Sequence, residues 1–238
     1  MNQLSASAFA PEVLMRALQH GEARRAAIQP RSEVHSPEAF TIAISREVGA
    51  RGTSVGREIG QRLGWPVFDQ ELVQAVADKM HVGRDVLESV DERHKDWLQE
   101  RMEALCAVPT VSETAFVGRL MQILLSLASH GQCVIVGRGA PHVLPPSTTL
   151  RLRLVADLED RVQFISRERD LSHRDAARHV DELDRLRLRF VRDHFQADAA
   201  DPRNYDLVIN TSRWTIHECG ELAVAALERL QSHARKQS

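Results

Sequence analysis

Between Phe40 and Gly64 the chain reads FTIAISREVGARGTSVGREIGQRLG, and no other stretch limits its fold as strongly. Phe40, Ile42 and Ile44 alternate as the apolar residues of a strand do. Gly49, Ala50, Arg51 and Gly52 then supply a turn, followed by two hydroxyls, Thr53 and Ser54. Val55, Ile59 and Leu63 stand at i, i+4 and i+8, the spacing of one helix face. A strand that turns directly into a helix gathers backbone N–H groups at the helix N-terminus, where anions are held. In the pattern G-x-x-x-x-G-K-S/T such groups cradle polyphosphate. Its fixed positions fall here on Arg46, Arg51, Gly52 and Thr53, so only the final hydroxyl is kept. The architecture of a nucleotide site is predicted, and whether it does chemistry is left open.

Composition narrows the field. At 238 residues the chain suffices for one domain with a sizeable core and an accessory segment. A formal net charge of −2 gives no footprint for nucleic acid or an anionic membrane. Tyr205 is the single tyrosine and the aromatics do not interleave with a basic stripe, which argues against single-stranded nucleic acid. Lysine occurs only at Lys79, Lys95 and Lys236. Positive charge near the loop must therefore come from arginine, a planar fork and not a point charge. Cys106, Cys133 and Cys219 have no C-x-x-C spacing and read as reduced, mostly buried thiols of a cytoplasmic protein. No apolar run approaches the ~18 residues of a membrane span, and the N-terminus lacks a signal peptide's apolar core. The histidines are scattered without metal-ligand spacing.

Residues 1–36 stand apart as an N-terminal extension. They are predicted to hold an amphipathic helix over 11–27 and a linker over 30–37. That helix either binds a partner, a homodimer included, or packs loosely on the domain. The domain proper spans 37–238. Strands are predicted at 40–45, 66–69, 133–136, 150–155 and 207–210. Helices are predicted at 53–63, 70–79, 84–102, 117–130, 157–170, 172–194 and 216–230. Alternating strands and helices imply a parallel sheet covered on both faces.

Five segments, taken together, resemble the nucleoside monophosphate kinases and most closely the cytidylate kinase-like family. They are IAISREVGARGTSVGREIGQRLGWPVFDQELV, CVIVGRGA, DRVQFISRER, DRLRLRFVRDHF and NYDLVINTSRWTIHE, which occur in the family's order over roughly residues 40–230. The resemblance implies a P-loop NTPase-like three-layer αβα fold with a parallel sheet, a helical acceptor-binding insertion over 84–130 and a lid segment. It also implies ATP and Mg²⁺ as cofactors, small nucleotides as partners and phosphoryl transfer to a nucleoside monophosphate, CMP or dCMP by expectation.

On that resemblance Gly52 takes the lysine position of the loop and Thr53 the magnesium-ligand position. Gly49, Ala50, Arg51, Gly52, Thr53 and Ser54 form the phosphate loop, with Arg51 as the local substitute for the lysine and Arg46 and Arg57 as weaker ones. Asp69 and Arg138 fall in the acceptor site. Arg185 and Arg189 fall on the lid as catalytic cations, with Arg187 and Arg192 beside them. Asn210, Thr211 and Ser212 fall near the donor base. In cytidylate kinases the residue after the matching arginine is an aspartate that helps read the base, whereas here it is Gly139, which weakens the case for cytosine. Each position also has a plainer reading: a helix cap for Thr53 or Asp69, a turn for Gly49 and Gly52, a solvated face for the lid arginines. Two other functions stay open, a nucleotide-binding protein without turnover and a kinase of another small acceptor.

Overall fold

The computed structural model describes residues 40–69, 113–137 and 139–237. Their elements in chain order are β1 (Thr41–Arg46), α1 (Gly52–Leu63), β2 (Val67–Phe68), α2 (Glu113–His130), β3 (Val134–Val136) and α3 (Ala140–Val143). β4 (Thr149–Val155), α4 (Leu158–Arg169), α5 (His173–Phe195), β5 (Leu207–Asn210) and α6 (Ile216–Gln237) follow, with a 3₁₀ turn at Pro202–Asn204. The helices expected at 11–27, 70–79 and 84–102, and the boundary at 36/37, lie outside the described residues.

The chain divides into two compact units. One is built from residues 40–69 and 132–238. The other contains α2, an apolar helix in which Leu120, Met121 and Leu124 are buried.

The first unit is organised by a five-stranded sheet of order β2-β3-β1-β4-β5. All its pairings are parallel, with Ile42 opposite Val134 and Leu150, and Leu154 opposite Ile209. β1 sits at the centre because Ile42, Ala43 and Ile44 form a continuous apolar run, which only a strand covered on both faces can bury. Ile42, Ile44, Leu150, Leu152 and Leu154 pack with Val55 and Ile59 of α1 and with Cys219, Ala223 and Leu227 of α6. A separate small core joins the loop after β1 to the helical segment: Val48 packs with Val162 and Ile165 of α4 and Ala176 and Val180 of α5. The turn after β1 is therefore gripped by two helices. On the way to β5, Asp206 accepts from the Arg151 N–H at 2.8 Å and from its guanidinium at 2.7 Å. The Tyr205 hydroxyl donates to the Ala199 carbonyl. Both residues close the turn before β5.

Candidate active site around the β1–α1 loop

Ligands of open parallel sheets gather at the carboxyl ends of the strands, and the central strand ends here at Arg46. Glu47 continues the ladder with its N–H on the Leu154 carbonyl at 3.1 Å. Gly49 then enters the left-handed region at φ 82°, and Arg51 does so at φ 54°. α1 begins at Gly52 and its first intrahelical bond is Val55 N–H to the Arg51 carbonyl. The Gly52, Thr53 and Ser54 N–H groups thus have no carbonyl within the helix. Arg51 provides no side-chain cap, and the first turn has no acidic residue. A helix start without a cap or a carboxylate is a positive end able to receive an anion.

Glu47, Arg161 and Asp184 hold this loop. Asp184 of α5 accepts from the Val48 N–H at 2.8 Å through one oxygen and from the Arg161 guanidinium through the other. Arg161 of α4 also reaches the Val48 carbonyl at 3.4 Å and the Glu47 carboxylate at 3.5 Å. Glu47 in turn accepts from the Ala156 N–H at 3.1 Å. A further contact fixes the far side, where the Thr211 hydroxyl donates to the Ala50 carbonyl at 3.4 Å. Arg161 from α4 and Asp184 from α5, with Glu47 of the turn itself, are engaged on a turn of five residues. Such a turn is preorganised, with its orphan donors held in place before anything binds.

The candidate residues are distributed around it. Gly49, Ala50, Arg51, Gly52, Thr53 and Ser54 form one continuous turn and helix start; Gly52 is buried, Thr53 half-buried and Ser54 exposed. The Arg51 guanidinium is exposed and stands 5.5 Å over the Phe164 ring. Arg57 is exposed on α1 and lies 3.9 Å from the Asp69 carboxylate at the end of β2. Arg185 and Arg189 are exposed on α5, and Arg185 pairs with Asp181 one turn back at 2.9 Å. Arg187 points elsewhere, donating to the Arg46 carbonyl at 3.3 Å. Arg138 lies outside the described residues. Asn210 and Ser212 form a side-chain turn, the Ser212 N–H donating to the Asn210 carbonyl oxygen at 2.9 Å, and the Ser212 hydroxyl accepts from the Asp157 N–H at 2.9 Å.

A family model for the cytidylate kinase-like family matches residues 41–213, which contain the loop, all five strands and the helices α4 and α5. The chain belongs to the cytidylate kinase-like family. It is 29% identical over 112 residues to the cytidylate kinase of Methanopyrus kandleri, covering 43% of this chain and 58% of that protein. The chain therefore spans less than two thirds of that relative. It is 24% identical over 186 residues to the cytidylate kinase of Pyrobaculum aerophilum, covering 77% of this chain and 90% of the relative. An uncharacterized protein from Eubacterium ventriosum superposes with a TM-score of 0.61 at 17% identity, covering 79% of this chain and 98% of that structure. With the parallel sheet, the family match and this superposition make the fold P-loop NTPase-like.

Set against G-x-x-x-x-G-K-S/T, the loop departs at three positions, with Arg46 and Arg51 where the pattern has its glycines and Gly52 where it has the lysine. Among the described residues the one lysine is Lys236, near the end of α6. The Glu47–Arg161–Asp184 network escaped the reading of the sequence, because its members are separated by as many as 137 residues (184 − 47) and look like ordinary surface charges.

Proposed function

We propose that this protein transfers a phosphoryl group from ATP to a nucleoside monophosphate, with CMP or dCMP as the acceptor. The observation that carries the reading is the uncapped start of α1 at the end of the central strand. Its free donors belong to a loop that Asp184 and Arg161 hold from outside, in a chain of the cytidylate kinase-like family.

Phosphoryl transfer needs the two substrates in line and the developing charge neutralised, without a nucleophilic side chain. The residues present fit a triphosphate. The Gly52, Thr53 and Ser54 N–H groups face no internal acceptor, and no carboxylate stands in the first turn to repel an anion. Mg²⁺ held with the nucleotide would draw charge off the phosphate oxygens, and Thr53 is the residue whose hydroxyl would hold it. Arg185 and Arg189, exposed on α5, are the lid cations that would close on the phosphates and exclude water. Asp69, just after β2, and Arg138 would meet the acceptor. Residues 37–238 would form the catalytic domain and 1–36 an extension that could support a homodimer, in the cytoplasm.

A second reading is favoured by one observation, the glycine at the lysine position: a nucleotide-binding protein that does not turn over. Steady-state ADP release from ATP and Mg²⁺ against a panel of nucleoside monophosphates separates the two. Turnover with CMP or dCMP that is lost in Thr53→Ala supports the kinase. Tight ATP binding with no ADP release across the panel supports the binder.

A further inference from the structure

The side chain of Arg46 lies where the missing lysine would begin. A β-carbon placed on Gly52 would stand 2.6 Å from Arg46 Cγ, 3.0 Å from its Cβ and 3.2 Å from its Cδ. These are the root and middle of the arginine stem, which cannot swing aside as a side-chain tip can. Further out, a β-carbon on Gly137, the residue just after β3, would stand 1.9 Å from Arg46 Nη1 and 2.8 Å from Cζ. Arg46 thus runs from the end of β1 across the first residue of α1, and its guanidinium rests against the backbone at the end of β3. Two glycines without side chains make that path. The Arg46 carbonyl is held meanwhile by Arg187 at 3.3 Å.

We propose that Arg46 is the phosphate-neutralising cation of this loop, and that Arg46 and Gly52 are a reciprocal exchange of the glycine and lysine of the standard pattern. This rests on the phosphotransferase reading above and identifies which residue does the lysine's work. In the standard pattern the first position is a glycine and the cation grows from the helix start. Here the cation grows from the strand end and the helix start is bare. Either arrangement delivers one positive head beside the uncapped N–H groups of α1, but the two stems compete for one space. Arg46 is half-buried, so its charge acts through less water than that of an exposed arginine. It also presents a fork able to hold two oxygens at once. Arg51, by contrast, is exposed and stands over Phe164.

The exchange makes a prediction that ordinary loss of a useful arginine does not. Restoring the lysine alone should harm the protein, because the Gly52→Lys stem meets the Arg46 stem. Restoring both positions together should recover function. Wild type, Arg46→Gly, Gly52→Lys, the double variant Arg46→Gly/Gly52→Lys and Arg46→Lys are compared for Mg·ATP affinity by calorimetry and for ADP release, with thermal melts to establish folding. Arg46→Gly and Gly52→Lys should each lose about a hundredfold in ADP release, and the double variant should regain at least tenfold over Arg46→Gly. Arg46→Lys, which keeps the charge and stem, should lie between wild type and Arg46→Gly.

A double variant no better than Arg46→Gly, in folded protein, overturns the exchange, as does an Arg46→Gly variant that matches wild type. If wild type binds Mg·ATP but releases no ADP with any acceptor, the kinase reading fails, and the same comparison read in affinity still decides on Arg46. If wild type does not bind Mg·ATP, both fall.

Discussion

Asp184 and Arg161 meet across the gap between α5 and α4, and the pair grips the loop after β1: one Asp184 oxygen takes the Arg161 guanidinium, the other the Val48 N–H at 2.8 Å. Both side chains are largely buried. Removing the carboxylate leaves the Val48 N–H without its acceptor and the Arg161 cation with only its longer contacts to Glu47 and the Val48 carbonyl. Asp184→Ala should cost about 3 kcal/mol of unfolding free energy, read from the denaturant midpoint. Asp184→Asn keeps an acceptor for Val48 and should cost less than half as much. Equal losses for the two variants would show that the charge carries the whole effect and the acceptor kept for Val48 contributes nothing.

Gly49 answers to two demands at once. Its φ is 82°, and a β-carbon there would stand 2.7 Å from the Arg161 carbonyl oxygen and 2.8 Å from its Cα, which are backbone atoms that cannot yield. Gly64, which ends α1 at φ 66°, has open space around it. Gly49→Ala should therefore cost more than the ~1 kcal/mol of a left-handed alanine alone, and Gly64→Ala about that amount. Equal midpoint shifts would mean the loop moves away from α4 at no cost.

Much of the fold could be read from the residues because it follows from period and punctuation. The strand 207–210 occurs as predicted, and the helix predicted at 53–63 begins one residue earlier, at Gly52. The helix predicted at 216–230 continues to Gln237, where a polar sequence gave no apolar face to follow. The four-residue helix α3 was too short for any periodicity to reveal. The loop itself was legible from its glycines and hydroxyls. What holds it was not: Glu47, Arg161 and Asp184 are joined by tertiary packing, and one sequence presents them as three unrelated charges. The same applies to Arg46, whose stem is tied to Gly52 and Gly137 only by the way β1 and β3 lie side by side. The run of arginines on α5 looked uniform, yet Arg187 turns to the loop while Arg185 stays with Asp181 in solvent.

That division of labour on α5 can be measured. The Arg185–Asp181 pair is exposed and spans one helical turn, so Arg185→Ala and Asp181→Ala should each shift unfolding free energy by no more than about 0.5 kcal/mol. As a lid cation, Arg185 should nonetheless be needed for the reaction. Arg185→Ala is expected to lower kcat about tenfold or more, whereas Asp181→Ala should leave it within about twofold. A kcat unchanged in Arg185→Ala would reduce the residue to a solvated partner of Asp181.

His142 gives the fold a pH dependence on its acid side. It follows β3 on the short helix α3, with its ring edge-on to Tyr205 at 5.8 Å and its Nε2 3.4 Å from the Tyr205 hydroxyl. Burial disfavours its protonated form, Arg153 and Arg151 on β4 repel the same charge, and Asp198 opposes them only in part; the imidazole is pushed down to about 4. In the unfolded chain the value returns to about 6.5. The unfolded state then binds the proton that the folded state refuses, so the stability His142 contributes is complete above about pH 6.5. It is lost progressively as the pH falls from there towards 4. Thermal midpoints taken from pH 7 to pH 4.5 should fall more steeply in wild type than in His142→Gln, which cannot take up the proton. Parallel curves would mean that the folded protein admits the proton at His142 as readily as water does.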